Sequence, residues 1–484
     1  MKDWKKQLTF WPNQPFLKQL KKEFPQAEIF LVGGAIRDAI LGRETKDFDF
    51  VIRNVNKKDL YELLNNFGKV NLVGKRFGVF KFKPRGLVGE EIDIALPRTE
   101  HSIDLSGAYR DFKISSNAKL KIEDDLSRRD FTINAMAWDF GQNKLVDPFS
   151  GLNDLKNKII KTVGKPEQRF KEDYSRMLRA VRFAVQLNFK IEVKTLASIK
   201  KSIKNLNKKI GSERVVPHEV IAKELTKAIG ANPVLTLKLL DELGALKILM
   251  PELLKMKGCP QPRNWHSEGD VWKHTILALQ RLSDKKFLHE FPKTKPSNEL
   301  IWAIIFHDIG KPYTIRRADR LHFDNHDSFS ANKFLEIAER LKLASAGLNI
   351  NAIEKMVGKH MMAVHTKTQG MKPTTIEKYF YNDAFPGAEL MMLIYADSLA
   401  TVLPSGKTMD EAYQKFKKQI KAIKPKGKST SLPKPLVNGH DLIKEFKLPE
   451  GPKIGKFLAI AREAQLANKI KTKADGLKLI KKYL

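Results

Sequence analysis

The sequence has a single cysteine, Cys259, so no disulfide within the chain can hold a fold together, and a reducing compartment such as the cytoplasm fits. Long apolar runs are missing too. The longest stretches, LIWAIIF at 300–306 and ELMMLIYA at 389–396, are too short to cross a bilayer, and the N-terminal MKDWKKQLTFWPNQPF lacks the apolar region of a secretion signal. Acids are scarce relative to bases: 55 Asp and Glu against 88 Lys and Arg, a net charge of +33. Such an excess argues for a polyanionic partner, most often nucleic acid, and charge alone does not separate RNA from DNA or from an acidic membrane surface. No fixed-period repeat stands out. With 484 residues there is room for three or four domains and a substantial core.

What is present concentrates in LVGGAIRDAILGRETKDFDFVI, residues 31–52. In a strand Asp47 and Asp49 point to one face, while Phe48, Phe50 and Ile52 take the other environment. Two carboxylates so close raise each other's pKa unless a cation sits between them, and such a pair suits Mg²⁺ bound together with substrate phosphates. Gly33 and Gly34 end the apolar run Ile29, Leu31, Val32 and open a stretch in which Ile36, Ile40 and Leu41 have helical spacing. Strand, glycine turn and helix follow, with backbone N–H groups and Arg37 placed for phosphate. Taken singly, each fragment also reads as a glycine turn or a solvated acidic strand; their combination at this spacing is far more specific.

Further along, EIDIALPRTE places Asp93 on a short strand, opposite in direction to Ile92 and Ile94. If that strand neighbours the DFDF strand, Asp93 becomes a third carboxylate of the same site. EDDLSRRDFTINAMAWD (123–139) supplies Arg128, Arg129, Asp130 and Asn134, as phosphate ligands or as a charged helix cap. In RFKEDYSRMLRAVRF (169–183), a helix puts Asp173 and Arg176 on one face, with Arg179 and Arg182 continuing the row. Such a pair is usually a surface salt bridge. A carboxylate beside a guanidinium also offers an acceptor and a donor in fixed order. Cytosine and adenine present an amino donor next to a ring-nitrogen acceptor, whereas uracil and guanine present the reverse. One Asp–Arg pair therefore accepts C and A and rejects U and G.

Residues 26–148 mix β-like and helical runs, an α+β or α/β unit, and nearly everything after about 170 repeats apolar residues every three or four positions. Breaks fall at MKGCPQPRN (256–264) and across KAIKPKGKSTSLPKPLVNG (421–439), a Lys/Pro/Ser/Gly linker. The lysines of the last helical stretch are a solvated face or a phosphate-backbone contact.

The motifs LVGGAIRDAILGRETKDFDF, RRDFTINAMAWD, DPFSGLNDL and RFKEDYSRMLRAVRF, in that order over about residues 28–185, resemble the class II nucleotidyltransferases, that is, the bacterial CCA-adding tRNA nucleotidyltransferases and bacterial poly(A) polymerases. The resemblance implies an α+β fold: a small mixed-sheet nucleotidyltransferase head followed by an all-helical neck, body, HD domain and tail. It implies catalysis by Asp47, Asp49 and Asp93 with Mg²⁺ on the first two. Gly33, Gly34, Arg37, Arg128, Arg129, Asp130 and Asn134 hold the nucleotide, and Asp173, Arg176, Arg179 and Arg182 read CTP or ATP without a template. tRNA is the implied partner. A long segment, residues 99–127, between Arg98 and Arg128 favours complete CCA addition, or A addition, over CC addition; A-only or CC-only enzymes and poly(A) polymerases are the alternatives.

HSEGDVWKHTILAL and IIFHDIGKPYT are similar to the HD phosphohydrolase superfamily. That similarity implies a divalent transition metal on His274, His307, Asp308 and Asp397, the last a lone acid in an apolar helix that is costly to bury unpaired. It also implies phosphatase and 2′,3′-cyclic phosphodiesterase activity. His266, His326, His360 and His365 read as loop or satisfied polar residues, with one or more able to support a second metal. An HD phosphohydrolase that uses the basic head only to bind RNA is the alternative from another class. The expected divisions are an N-terminal extension (1–24), head (25–148), neck and body (149–262), HD domain (263–420), and linker with basic tail (421–484). Oligomeric state, the role of residues 1–24 and the means of termination are left open.

Overall fold

The computed structural model describes residues 4–45, 47–73, 79–87, 91–102, 112–318, 320–365, 370–423 and 432–484. The chain divides into two compact units, Met1–Leu249 and Met250–Leu484.

The first unit begins with α1 (Pro15–Glu23) and a seven-stranded mixed sheet in the order β3-β4-β5-β2-β1-β8-β9. Its strands are β1 (Glu28–Val32), β2 (Phe48–Arg53), β3 (Gly68–Val73), β4 (Val79–Pro84), β5 (Ile92–Ala95), β8 (Ala137–Asp139) and β9 (Lys144–Val146), while β6 (Arg98–Ser102) and β7 (Phe112–Ser116) pair apart from it. The unbroken apolar run of β1 is explained by its place: it lies between β2 and β8 and is buried from Ile29 to Val32. β5 alternates instead, with Ile92 and Ile94 buried and Asp93 and Ala95 half-buried, because only one of its faces meets the core.

The two faces of the sheet have different duties. Against one lie α1, α3 (Lys57–Phe67) and the N-terminal segment: Trp11 packs on Phe48 and Phe50 at ring distances of 4.6 and 5.0 Å, and Phe16 on Phe82 at 5.1 Å. Trp11 and Phe16 are 1% exposed, and burying each contributes roughly 2–3 kcal/mol. Residues 4–23 are thus part of the head's core. The other face packs Phe30, Val32 and Val51 on Ile122 and Leu126 of α4 (Ile122–Ser127), and its end carries Asp49 and Asp93. Helix α2 (Gly34–Ile40) leaves β1 directly, and α5 (Gly151–Lys156) and α6 (Pro166–Glu172) lead into α7 (Ser175–Leu187). α7 buries ten residues, ends at Asn188 in the left-handed conformation, and packs on α9 (His218–Ala231), which follows α8 (Val193–Ser202).

The second unit is helical. Helix Asn298–Phe306 is buried on every side from Leu300 onward, as its unbroken apolar sequence requires, among the helices Val271–Arg281, His326–Arg340, Ile350–Val357 and Gly387–Ala400. At the C-terminus Val437, Leu442, Ile454, Ala461, Ile470 and Ile480 form a separate small core. Arg462 pairs with Glu377 and Thr374 donates to Glu463 at 2.7 Å, tying that module to helix Pro373–Phe380. No described helix is long and apolar enough to cross a membrane.

Candidate active site and metal centre

β2 and β5 run parallel, and the register sets Asp49 directly opposite Asp93. Asp47 lies one residue ahead of β2. All three carboxylates line one cavity of about 790 Å³, together with Gly33, Gly34, Arg37, Arg128 and Arg129. Burial raises the Asp49 carboxyl above its ordinary range, and the charges of Asp93 and Asp47 add to this against the pull of Arg129. Burial likewise raises Asp93, helped by Glu91 and Asp47 and opposed by Lys81, whose Nζ lies 3.8 Å away. Carboxylates that resist ionisation together gain most from a cation among them, and oxygen donors of this kind fit a hard divalent ion.

Gly33 has φ +74°, and a Cβ there would sit 2.7 Å from Arg129 Nη1 and 3.5 Å from Asp49 Oδ2. A side chain at 33 is therefore doubly excluded, and the glycine lets the Arg129 guanidinium approach the carboxylates. Arg37 is held bidentately by Asp38 at 2.8 and 2.9 Å and donates to Asn134 Oδ1 at 2.7 Å. Asn134 in turn donates to Asp130 Oδ1 at 3.1 Å. Arg128 and Arg129 share the fully buried Asp125, at 2.8 and 3.4 Å. Burial pushes Asp125 up, but those two guanidiniums outweigh it and leave the carboxyl below its usual range.

The neck departs from expectation in one respect. Asp173 is not on the helix of Arg176: it caps α6 with φ −151° and ψ 105°, and α7 begins two residues later. Its carboxylate accepts from Ser175 N at 2.8 Å. The anionic partner of Arg176 is Glu172, at 2.6 Å, which the sequence reading passed over although it stands four residues ahead of the arginine. Arg176 also donates to the carbonyls of Arg169 and Arg128, at 3.2 and 3.3 Å. Asp173 and Arg176 nevertheless line the same cavity. Arg179 pairs with Asp130 at 2.7 Å and Arg182 with Glu224 of α9 at 2.6 Å, so these two arginines stitch α7 to the head and to the body. Burial pushes Asp130 up, yet the Arg179 charge and the Asn134 and Arg179 hydrogen bonds hold it at about 2.

In the second unit, five segments bring His274, His307, Asp308, His326, His360 and Asp397 together. Two triplets have their ligand atoms within 4.8 Å of one another: His274, His307 and Asp397, and Asp308, His326 and His360. Asp308 belongs to both neighbourhoods. Its Oδ2 is 3.3 Å from His307 Nε2, and its Oδ1 is 3.3 and 3.6 Å from the Nε2 atoms of His326 and His360. Nδ1 of His307, His326 and His360 each lies 2.7–2.8 Å from a backbone carbonyl, of Ile304, Phe323 and Val357. A carbonyl only accepts, so Nδ1 carries the proton and a neutral ring presents its Nε2 lone pair inward. Those three Nε2 atoms are buried without a hydrogen bond of sound geometry. His274 bridges Glu268 and Asp397 at 2.8 Å each, and these bonds lift it to about 9 although burial pushes it down. This set fits divalent metal. Of the two roles open to His326 and His360, their geometry suits metal support rather than satisfied polar residues; His266 is paired with Glu268 at 2.6 Å, and the side chain of His365 lies outside the described residues.

Residues 29–161 match the Poly A polymerase head domain, 188–256 the probable RNA and SrmB-binding site of polymerase A, and 388–479 a putative tRNA nucleotidyltransferase domain 2. A multifunctional CCA protein of Mannheimia succiniciproducens is 32% identical over 381 residues, spanning 77% of this chain and 84% of that protein. The chain belongs to the multifunctional CCA protein family. A second relative of that name, from Nitrosococcus oceani, is 32% identical over 360 residues, 74% of this chain and 80% of the other. The α+β fold agrees with solved structures: a Bacillus stearothermophilus CCA-adding enzyme in complex with CTP (TM-score 0.62, 21% identity, 100% of this chain and 98% of that one) and a Thermotoga maritima CCA-adding enzyme complexed with tRNA (TM-score 0.59, 20% identity, 98% and 97%). As a member of this family of tRNA nucleotidyltransferases, the chain is an enzyme of a normally divalent-metal-dependent class.

Besides Glu172, this CCA-family chain uses Asp125, Asp38 and Glu224 to fix its arginines, none of which the sequence reading singled out. Asp38 and Asp125 stand within four residues of the arginines they hold, a local signal the reading did not use; only Glu224 pairs across distant elements, which one sequence does not display. The 99–127 segment, used above to argue for complete addition, lies partly outside the described residues.

Proposed function

We propose that this enzyme completes the 3′ end of tRNA by adding C, C and A from CTP and ATP without a template, working in the cytoplasm. The observation that carries the reading is the parallel β2–β5 register, which sets Asp93 beside Asp49 and Asp47 in the cavity that Asp173 and Arg176 also line. The tRNA 3′-hydroxyl oxygen attacks the α-phosphorus of the nucleotide, a new P–O bond forms, and pyrophosphate leaves. Mg²⁺, when bound by Asp47 and Asp49, lowers the pKa of that hydroxyl and offsets charge on phosphorus. Arg37, Arg128 and Arg129 bind triphosphate oxygens. Asp173 accepts from the amino group of cytosine or adenine. Arg176 spends three of its N–H groups on Glu172, Arg169 and Arg128, which leaves Nε–H and one Nη2–H for the ring nitrogen.

The test offers tRNA ending at its discriminator base with labelled CTP and ATP, singly and together. Addition of two C and then one A, stopping there, is expected; long A tracts on unrelated RNA would make it a poly(A) polymerase, and A alone or CC alone a partial enzyme. A second reading rests on the orphaned imidazoles: the His274, His307, Asp308, His326, His360 and Asp397 cluster binds divalent transition metal and hydrolyses phosphate esters. Metal analysis of wild type against His307→Ala and His326→Ala checks it, and equal metal content in all three removes it.

A further inference from the structure

Phe183 is the one aromatic residue of α7, and it lines the cavity while only 6% exposed. Three guanidinium carbons surround its ring: Arg182 at 4.1 Å from the centroid, Arg37 at 5.2 Å and Arg179 at 5.6 Å. Phe131 meets it edge-on at 5.7 Å and fixes its plane. Arg179 reaches the ring by helical spacing, as an i, i+4 neighbour, and Arg182 is adjacent in sequence. Arg37 is different. It arrives from α2, on the far side of the head–neck junction, so the convergence does not follow from the sequence of α7.

Each of the three arginines also has an acidic partner: Asp38, Asp130 or Glu224. A carboxylate holds a guanidinium by neutralising it, and what it neutralises it withholds from a phosphate. The face of an aromatic ring attracts a cation through its quadrupole while carrying no net charge. Like charges gathered around one point repel, and when a phosphate draws a guanidinium from its carboxylate the uncharged ring is the anchor that remains.

We propose that Phe183 is a positioning residue for nucleotidyl transfer, its π-face keeping Arg37, Arg179 and Arg182 gathered on the cavity wall while the polyphosphate of the incoming nucleotide competes with their carboxylate partners for them. This rests on the reading of the cavity as a nucleoside triphosphate site. The ring acts through the arginines and touches no reacting atom. It also makes one contact serve both sides of the junction, so that the head's Arg37 and the neck's Arg179 and Arg182 are set in a common arrangement.

The decisive experiment replaces Phe183 in the full-length chain with mono-, di- and trifluorinated phenylalanine. These nearly preserve shape while draining the ring quadrupole step by step, so a purely packing role leaves the readout flat. Steady-state incorporation of CTP and of ATP into tRNA is measured for each. KM for both nucleotides should climb with each fluorine, about five- to tenfold in all, while kcat and the melting temperature stay near wild type. Phe183→Leu should fall at the weak end of that series. A KM that ignores fluorination overturns the proposal, even if the leucine variant fails to fold. The double variant Asp47→Asn/Asp49→Asn, run alongside, separates the two layers. Persistent incorporation there would defeat the triphosphate reading itself, whereas lost incorporation with a flat fluorine series defeats only the role of the ring.

Discussion

Each arginine of the β2 cavity that sequence singled out has an acid of the same protein beside it, whereas three imidazoles of the second unit point buried nitrogens at one another and at a shared aspartate. The first cluster is electrostatically settled before any ligand arrives, and its cavity is open enough for a large substrate. The second is enclosed, and three of its imidazole nitrogens lack a partner although His274 pairs with Glu268 and Asp397 and Asp308 with Lys311 at 2.7 Å. The contrast separates two kinds of binding. A substrate that comes and goes can be met by charges that re-pair after it leaves; a resident ion, as proposed for the second cluster, would be met by donors with no other use. Unpaired polar atoms are therefore a sharper pointer to metal than a crowd of charged ones.

The sharpest way to break this contrast is to remove the carboxylates of the first cluster. Asp47→Asn/Asp49→Asn should lower CMP and AMP incorporation by on the order of a thousandfold or more, since several kcal/mol of transition-state stabilisation are at stake, while metal bound at the histidine cluster stays unchanged. Incorporation near wild type in the tRNA assay would remove the distinction. Chelation tests the second cluster. Stripping its metal should lower unfolding free energy by about 4 kcal/mol when the ion stands a thousandfold above its dissociation constant, visible by calorimetry, and His307→Ala should abolish that sensitivity.

A smaller effect belongs to Asp130. Its carboxyl sits at about 2 in the folded chain against an ordinary 3.8, so as pH falls the unfolded chain takes up the proton first. Its stabilisation is complete above about pH 4 and is lost as pH drops toward 2. Asp130→Asn should cost about 2 kcal/mol above pH 4 and flatten the acid limb of a denaturation profile. An unchanged limb would show that Arg179 finds another anion. The finest distinction is base choice: Arg176→Ala, or Asp173→Ala, should raise UTP or GTP incorporation relative to CTP roughly tenfold, in keeping with the worth of a base-edge pair. Unchanged selectivity would leave these residues a structural role only.

Much of the first cluster was legible because strand alternation and glycine turns are local. DFDF and EIDI announce their inward and outward residues, and the sheet had only to bring the two strands together. The Asp173–Arg176 spacing misled because helical periodicity runs unbroken in the letters, while the backbone turns aside at Asp173. Glu224 was invisible for another reason, since a partner contributed by a distant segment leaves no periodic trace, whereas Glu172 and Asp125 stand three or four residues before their arginines and were passed over. His326 and His360, read as loop or satisfied residues with one or more able to support a second metal, could not be singled out further because they stand 18 and 52 residues from Asp308 in the chain. The N-terminal segment had no assigned role because Trp11 shows its purpose only against Phe48 and Phe50.

The pairing of β2 with β5 has one more consequence. Ile92 and Ile94 are wholly enclosed, so sliding β5 by one position would thrust a carboxylate into oil and leave an isoleucine staring at the nucleotide. Correct assembly of the carboxylate pair Asp49 and Asp93 is thus enforced by grease rather than by charge. β4 holds the other edge of β5, with Phe80 opposite Ile94 and Phe82 opposite Ile92, so the same enclosed side chains fix the register from both sides.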